Sequence, residues 1–249
     1  MTHESHHYGT TMRRWKALTR KAGLQITELV RQGGYPVYGI RTRKFSQDEP
    51  PLYLSAGCHG DEPAAVQGLL EWSEENISIL KKRNVVVMPC LNPWGMVNNV
   101  RLNQDGLDLN RSFHLLDHPL IAAWKNFTAR LQFPLAVTLH EDYDAKGIYL
   151  YELNPMVGHS YGESLLQECE KIIPRETSRT IEGRKAVRAI VRRTRGIPKL
   201  EGLPEAITMF AENAKASLTF ETPSEFSLYD RVRAHKAFVD GLFRRELIE

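Results

Sequence analysis

Residues 52–66 read Leu-Tyr-Leu-Ser-Ala-Gly-Cys-His-Gly-Asp-Glu-Pro-Ala-Ala-Val, and this stretch decides the fold. Its first five residues form an apolar run that ends at Gly57, as expected for a buried strand. Pro63 suits the first position of a helix, and apolar residues recur after it at helical spacing. His59 and Glu62 lie in the turn between these two elements. A buried strand, a polar turn and a helix in succession are typical of an α/β sheet.

The rest of the chain continues the alternation of strands and helices, with no linker or internal repeat. Apolar runs predict strands at 35–41, 52–56, 85–89, 135–139, 148–153 and 216–220. Helical periodicity predicts helices at 10–22, from Pro63 onward, and at 119–131, 160–173 and 227–247. Residues 90–113 are predicted to be a long polar loop, and residues 175–205 are a basic segment without clear periodicity. The pattern predicts one α/β domain over residues 1–249, with a short mobile N-terminal segment at about 1–9.

The composition is that of a globular protein. Of 249 residues, 42% are hydrophobic and 25% are charged, which argues against disorder. The formal net charge of +3 gives no strong attraction to nucleic acid or to an anionic membrane. No run of about 18 apolar residues predicts a transmembrane helix. No apolar signal segment begins the chain, so we expect a cytoplasmic protein. The three cysteines form no Cys-x-x-Cys motif, so a disulfide scaffold and a zinc knuckle are not expected.

Acidic and imidazole side chains follow the C-terminal ends of three predicted strands. His59 and Glu62 follow one strand, whereas His140 and Glu221 end two others. Ligands bind in the crevice outside the carboxyl ends of the strands of an open α/β sheet, so parallel strands would bring these groups together. Two imidazoles and one carboxylate are a common catalytic zinc set that leaves a position for water. For any one histidine taken alone, a position in the core is the alternative interpretation.

The polar loop carries a longer pattern. It contains Asn92-Pro-Trp-Gly and then, from Arg101 to Phe113, Arg-Leu-Asn-Gln-Asp-Gly-Leu-Asp-Leu-Asn-Arg-Ser-Phe. With the groups at the strand ends, the sequence resembles the zinc carboxypeptidases of the M14 peptidase family. Their pattern is His-x-x-Glu, Asn-Pro-x-Gly, Arg-x-Asn-x-x-Gly-x-Asp-x-Asn-Arg-x-Phe, a His at a strand end and a late Glu. The match spans residues 52–225 and looks most like the small bacterial members, including the murein peptide amidases.

The resemblance implies a metal site and the fold around it. His59, Glu62 and His140 match the ligands of one zinc ion per chain. Asp108 matches the acid that orients the first histidine ligand, and such an acid fixes the tautomer of a ligating imidazole. The implied fold is a three-layer sandwich with a central mixed β-sheet.

The resemblance also implies how a substrate is bound. Arg101 matches the arginine that polarises the scissile carbonyl, and a cation placed there stabilises an oxyanion as it forms. Asn110 and Arg111 match the pair that binds the terminal carboxylate of the substrate. A planar guanidinium suits this role because it can bind a carboxylate through two parallel hydrogen bonds.

Glu221 matches the residue that serves as general base and then general acid. A carboxylate within reach can take a proton from a zinc-bound water and give it to the leaving amine. Glu141 and Asp142 follow the third metal ligand and are rivals for this role. Adjacent residues at a strand end point in different directions, so Glu221 is preferred.

The expected function is zinc-dependent hydrolysis of an amide bond next to the free carboxylate of a small peptide, with cell-wall peptides as one option. The alternative is an N-acyl-amino-acid deacylase of the aspartoacylase or succinylglutamate desuccinylase type, which shares the metal motif. Asn-Pro-x-Gly and Arg-x-Asn favour the carboxypeptidase. A non-enzymatic alternative is a zinc-binding module that recognises peptide C-termini, and the intact Glu221 argues against it. No nucleic-acid or membrane partner is expected, and the oligomeric state is left open.

Two features depart from the family pattern. Large members carry a substrate-capping tyrosine shortly before the general base, but no tyrosine lies between Tyr161 and Tyr229 here. The specificity pocket should be lined by residues from 175–215, where arginines cluster. One of them could bind an acidic side chain or a second carboxylate, and a solvated basic surface is the alternative. These arginines are Arg184, Arg188, Arg192, Arg193 and Arg195.

Overall fold

The computed structural model describes residues 6–46, 49–198 and 201–244. Its strands are β1 (Leu24–Gln32), β2 (Tyr35–Thr42), β3 (Leu52–Ala56), β4 (Val85–Met88), β5 (Phe133–Asp142), β6 (Tyr149–Leu153), β7 (Thr180–Ile181), β8 (Arg184–Lys185), β9 (Ile190–Arg193) and β10 (Ala214–Pro223). Its helices are α1 (Tyr8–Ala22), α2 (Pro63–Glu75), α3 (Ile77–Leu80), α4 (Pro93–Asn98), α5 (Pro119–Thr128), α6 (Tyr161–Cys169), α7 (Glu205–Glu212) and α8 (Leu228–Leu242).

Eight of these strands form one mixed sheet in the order β1-β2-β4-β3-β5-β10-β6-β9. The four central strands, β4, β3, β5 and β10, run parallel, and β2 and β6 flank them in the antiparallel direction. All five residues of β3 are buried. A parallel strand covered on both faces needs such a continuous apolar run, which explains why its sequence does not alternate.

Two layers of helices cover the sheet. One face packs against α1, α2, α6 and α8 and encloses the indole rings of Trp15 and Trp72. The other face packs against α5 and α7 and encloses Trp124 and Phe113. Successive residues of β3 enter different cores, with Leu54 in the first and Tyr53 in the second. The predicted three-layer α/β sandwich with a mixed central sheet is confirmed.

The differences from the predicted elements lie away from the central strands. Strand β1 was not predicted, and its pairing with β2 shifts register between Glu28 and Val30, which breaks the alternation that marks a strand. Helix α4 lies in the predicted loop. The basic segment contains β7, β8 and β9, and its end begins α7. The mobile segment expected at about 1–9 is wrong at its end, because helix α1 begins at the buried Tyr8 and includes Gly9. Residues 1–5 lie outside the described residues. No helix in the described ranges is long and apolar enough to cross a bilayer.

Candidate active site

The predicted site residues gather at the carboxyl ends of three neighbouring parallel strands. Strand β3 leads into the turn with His59 and Glu62, and its neighbour β5 carries His140. Strand β10 lies on the other side of β5, and Glu221 pairs in register with His140. The sheet therefore sets residues that are far apart in sequence side by side, as the sequence predicted.

His59, Glu62 and His140 form the only group among the described residues that could hold a metal ion. One ligand atom from each lies within 4.8 Å of the other two. Nδ1 of His59 is 2.5 Å from one Glu62 oxygen, and Nδ1 of His140 is 2.9 Å from the other. All three side chains are buried. Two imidazole nitrogens and a carboxylate that converge in this way suit a zinc-type ion.

Electrostatics tie these three groups together. Burial acts to raise the pKa of Glu62, but the two histidines outweigh it and lower that pKa to about 2. Burial acts to lower the pKa of His59, but Glu62 and Asp108 outweigh it and raise that pKa to about 9. A metal would therefore have to displace protons from the imidazoles, so its affinity depends on pH.

Asp108 contacts His59, and Arg101 lies near Glu62. Nε2 of His59 lies 3.1 Å from Asp108 Oδ1, so Asp108 orients the imidazole as an outer partner of a metal ligand would. Arg101 donates from Nε to Asp108 Oδ2 at 3.1 Å, and its Nη1 is 3.9 Å from Glu62. The Arg101 side chain is 43% exposed, so it can still reach a ligand in the cavity.

The Asn-Pro-x-Gly motif positions the loop that carries Arg101 next to the turn that carries His59 and Glu62. Asn92 accepts a hydrogen bond from Gly95 N and donates to the carbonyls of Arg101 and Leu102. A Cβ atom on Gly60 would lie 1.9 Å from the carbonyl carbon of Gly95, so the turn and the N-terminal end of α4 touch backbone to backbone. Asn92 thus places Arg101, and the two glycines allow the close approach.

Asn110 and Arg111 lie in a 3-10 turn at one wall of the site. The side-chain oxygen of Asn110 accepts a hydrogen bond from Glu205 N at 3.1 Å. The Arg111 carbonyl accepts one from Leu203 N at 2.9 Å. A Cβ atom on Gly202 would lie 2.3 Å from the Arg111 carbonyl oxygen, so the segment before α7 packs directly against the Arg111 backbone. The Arg111 guanidinium donates only to the Asn110 carbonyl among the described residues, which leaves most of its donors for a ligand.

Glu221 is the one carboxylate at the strand ends without a hydrogen bond in the described structure. It is half-buried and lies between His140 and Tyr149 across the two strand pairs. Burial raises its pKa well above the usual range, and His140 opposes that rise only in part. A carboxylate with a raised pKa holds a proton closer to neutral pH, as suits a group that accepts a proton and later donates it.

The two rival carboxylates are already engaged. Glu141 is buried, accepts a 2.6 Å hydrogen bond from Ala64 N in the first turn of α2, and pairs with Arg231 on α8. Asp142 accepts hydrogen bonds from the hydroxyl of Tyr149 and from a backbone N–H in the following turn. Glu141 thus caps a helix end that would otherwise leave its N–H groups unsatisfied.

We call His59, Glu62 and His140 the metal group. A cavity of about 330 Å³ opens beside it. All eight predicted site residues except Asp108 line it, so the sequence prediction and the cavity identify the same place. Three tyrosines that the sequence analysis did not single out line it as well. They are Tyr143, Tyr149 and Tyr151.

Glu205 was also missed by sequence reasoning. It is fully buried and accepts hydrogen bonds from Tyr53, at 2.5 Å, and from Ser55, at 3.1 Å. Because its own backbone N–H donates to Asn110, it anchors the start of α7 to both β3 and the turn that carries Asn110. The only signal in the sequence was an acid after Pro204, which is a common helix start.

Comparison with known proteins agrees with this geometry. Residues 48–130 match the family model for the succinylglutamate desuccinylase/aspartoacylase catalytic domain. That range contains every predicted site residue except His140 and Glu221. No curated protein is significantly similar to the chain in sequence.

Solved structures extend the likeness to the whole chain. A provisionally named metallopeptidase from Shewanella amazonensis has a TM-score of 0.86 at 21% identity, over 98% of this chain and 94% of that protein. A metallo-carboxypeptidase from Burkholderia cenocepacia has a TM-score of 0.70 at 14% identity, over 93% and 66%. One from Pseudomonas aeruginosa, solved with (2-guanidinoethylmercapto)succinic acid, has a TM-score of 0.62 at 18% identity, over 93% and 68%. The chain has the fold of these proteins. Together with the family model, this confirms the predicted resemblance to M14-like metal-dependent hydrolases.

Proposed function

We propose that this chain is a zinc-dependent carboxypeptidase that hydrolyses the amide bond next to the free C-terminal carboxylate of a small peptide. The observation that carries this proposal is the position of Arg111 on the cavity that also holds the metal group and Glu221. A cation that binds the terminal carboxylate at one wall would set the last amide bond near the metal group. Cell-wall peptides with a free carboxylate belong to this substrate class.

The donor set supports a zinc ion held by His59, Glu62 and His140. When bound, such an ion would polarise the amide carbonyl and lower the pKa of a water to about 7. Asp108 would keep the His59 ring oriented, with its Nδ1 directed toward the ion.

Substrate binding would use the arginines on the cavity. Arg111 presents a planar guanidinium that can form two parallel hydrogen bonds to a carboxylate, and Asn110 supports it from the same turn. Arg101 lies on the side of Glu62 and would stabilise negative charge on the carbonyl oxygen as the bond breaks.

Glu221 would move the protons. It would accept one from the attacking water and deliver it to the amide nitrogen, which leaves as a free amine. The supporting observations are its free carboxylate, its raised pKa and its place next to His140.

A second candidate function is the deacylation of N-acyl-amino acids. The match of residues 48–130 to the succinylglutamate desuccinylase/aspartoacylase model favours it. Both reactions cleave an amide next to a carboxylate, so the same metal group, Arg111 and Glu221 would serve either one.

One assay separates these functions. Metal-loaded protein is incubated with blocked dipeptides, with the same dipeptides as C-terminal amides, with murein peptides, and with N-acetylaspartate and N-succinylglutamate. Released amines are quantified by chromatography. We expect turnover of the peptides with a free carboxylate only. Turnover confined to the N-acyl-amino acids would support the deacylase instead, and binding of peptides without any turnover would support the recognition module.

A further inference from the structure

The half of the cavity that lies away from the metal group has its own chemistry. Its floor is one face of three paired strands. Ser217, Leu153 and Arg193 form one row across β10, β6 and β9, and Thr219, Tyr151 and Val191 form the next row toward the metal group. Ser217 precedes Glu221 by four residues on β10, which corresponds to roughly 13 Å at about 3.3 Å per residue. Thr219 lies at about half that distance from Glu221, which is the scale of one amino-acid side chain.

Part of this half is apolar. Leu153 and Val191 lie on the floor, one in each row, and Ile207 on α7 lines the same space. Such a lining suits the aliphatic part of a side chain.

The distal row and the wall beside Tyr151 are cationic. Among the arginines of the basic segment, Arg184 and Arg193 line the cavity. Arg193 is exposed and donates from Nε to the carbonyl of Gly196. The Arg184 side chain is half-buried and makes no hydrogen bond or ion pair in the described structure, so its guanidinium donors are free for a ligand. Arg184 follows Glu182 in the β7–β8 hairpin, and the hydrogen bond from the Tyr151 hydroxyl to Glu182 holds that hairpin beside the Tyr151 row.

The other arginines of the segment are accounted for elsewhere. Arg188 pairs with Glu163, and Arg192 donates to the carbonyls of Met156 and His159. Arg195 is exposed and does not line the cavity. The one acid of the hairpin on the cavity, Glu182, accepts a hydrogen bond from the Tyr151 hydroxyl. That carboxylate is thus engaged with a phenol, and within the described residues no ion pair joins it to Arg184.

A buried hydroxyl supplies a second, independent observation. Ser217 is only 1% exposed, lines the cavity, and its Oγ has no hydrogen-bond partner in the described structure. An unpaired buried hydroxyl costs free energy, and a ligand with an acceptor at this end would satisfy it.

We propose that Arg184 is a specificity-determining residue that selects substrates whose C-terminal residue carries a second carboxylate at the end of a short aliphatic side chain. This inference rests on the proposed function and deepens it, because it names the substrate class. Arg111 binds the main-chain carboxylate, Leu153 and Val191 contact the aliphatic part, and Arg184 binds the side-chain carboxylate. A glutamate-like residue satisfies all three.

The test uses blocked dipeptides that differ only in their last residue, which is Glu, the isosteric neutral Gln, or Lys. The protein is wild type, Arg184→Ala, Arg184→Glu or the matched control Arg195→Ala. Wild type and Arg195→Ala should favour Glu over Gln by at least about tenfold in kcat/KM, since a charge pair in a desolvated site contributes on this scale. Arg184→Ala should bring the ratio close to one, and Arg184→Glu should shift the preference to Lys. A wild-type ratio near one, or an unchanged ratio in Arg184→Ala, would overturn the inference.

A binding measurement separates this inference from the proposed function. The same peptides are titrated calorimetrically into Glu221→Gln protein with and without Arg184→Ala. Tighter binding of the Glu peptide that disappears with Arg184→Ala supports the inference even if wild type hydrolyses none of the peptides, which would sink the carboxypeptidase proposal alone. Equal binding of the Glu and Gln peptides would sink the charge selection alone. No binding of any peptide would overturn both.

Discussion

Glu221 and His140 lie side by side, paired in register across the parallel strands β10 and β5. The pairing places an acid without a hydrogen bond next to a metal-ligand candidate, whereas the adjacent Glu141 faces α2 and Arg231. His140 and Glu141 are thus neighbours on β5, yet His140 lies beside Glu221 whereas Glu141 joins α2 to α8.

This pairing makes Glu221→Gln the sharpest test of the base. The change keeps size and polarity but removes the proton acceptor, so kcat should fall by about 10²–10⁴. Metal content should not change, because Glu221 is outside the ligand group. The measurement is kcat with metal analysis of the same preparation. The comparison variant Asp142→Asn should keep most activity, and a larger loss there than in Glu221→Gln would move the base to Asp142.

The metal group predicts a matched pair of histidine variants. His140→Ala removes one of three ligands and should abolish most metal binding, measured as metal per chain after dialysis against zinc. His159→Ala removes a histidine that packs against Tyr161 outside the group and should bind metal like wild type. Full metal content in the double variant of His59 and His140 would contradict the assignment.

Arg111 predicts a substrate-dependent change in KM. Arg111→Ala should raise KM strongly for a peptide with a free C-terminus, because a charge pair broken in a desolvated site costs about 2–5 kcal/mol. The C-terminal amide should be affected little, since it lacks the carboxylate. Steady-state kinetics on both peptides test this prediction. An equal increase in KM for the two peptides would show that Arg111 does not bind the carboxylate.

His235 predicts part of the dependence of stability on pH. It is fully buried on α8, and burial lowers its pKa to about 3, against an ordinary value of 6.5. Between these values the unfolded chain binds a proton that the folded chain does not, so stability falls as pH decreases from about 6.5 toward 3. The slope from one group is at most about 1.4 kcal/mol per pH unit.

The measurement is urea unfolding of metal-free wild type and His235→Gln from pH 7.5 to 4. The wild-type free energy of unfolding should decrease more steeply below pH 6.5 than that of the variant. Because both proteins share all other titrating groups, the difference isolates His235. Parallel curves would mean that the folded protein takes up the proton on His235.

The contact between Gly60 and Gly95 predicts a steric effect on the site. Gly60→Ala places a methyl group where backbone atoms already lie, so either the turn or α4 must move. We expect weaker metal binding and a loss of stability on the order of a few kcal/mol. Gly9→Ala, on α1, meets only the flexible end of Arg13 at 3.8 Å and should stabilise the helix slightly. Melting temperature and metal titration check both variants.

The central sheet and the metal group could be predicted from the sequence because their signals are local. A buried parallel strand must be apolar on both faces, and its carboxyl end marks the edge where ligands bind. Edge strands such as β1 lack that signal because one face is exposed and a bulge interrupts the alternation. The short strands β7, β8 and β9 are too short for any periodicity to show.

The cavity walls could not be predicted for a different reason. Which arginine of the basic segment turns inward depends on hairpin geometry and not on composition. Similarly, Asn92 acts through hydrogen bonds to backbone carbonyls of another segment. Glu205 acts through hydrogen bonds to the side chains of Tyr53, Ser55 and Asn110. A single sequence shows which side chains can donate or accept hydrogen bonds, but it does not show which donor pairs with which acceptor.

The separation of the metal ligands along the chain has a consequence for folding. Glu62 and His140 are 78 residues apart, and their side chains meet only after β3 and β5 have paired. An ion held by both residues therefore binds the folded chain and not the unfolded one. The unfolded chain lacks the assembled site, so ion binding adds directly to the free energy of unfolding. The metal occupancy of the site and the stability of the sheet against unfolding are therefore set by one ion-binding equilibrium.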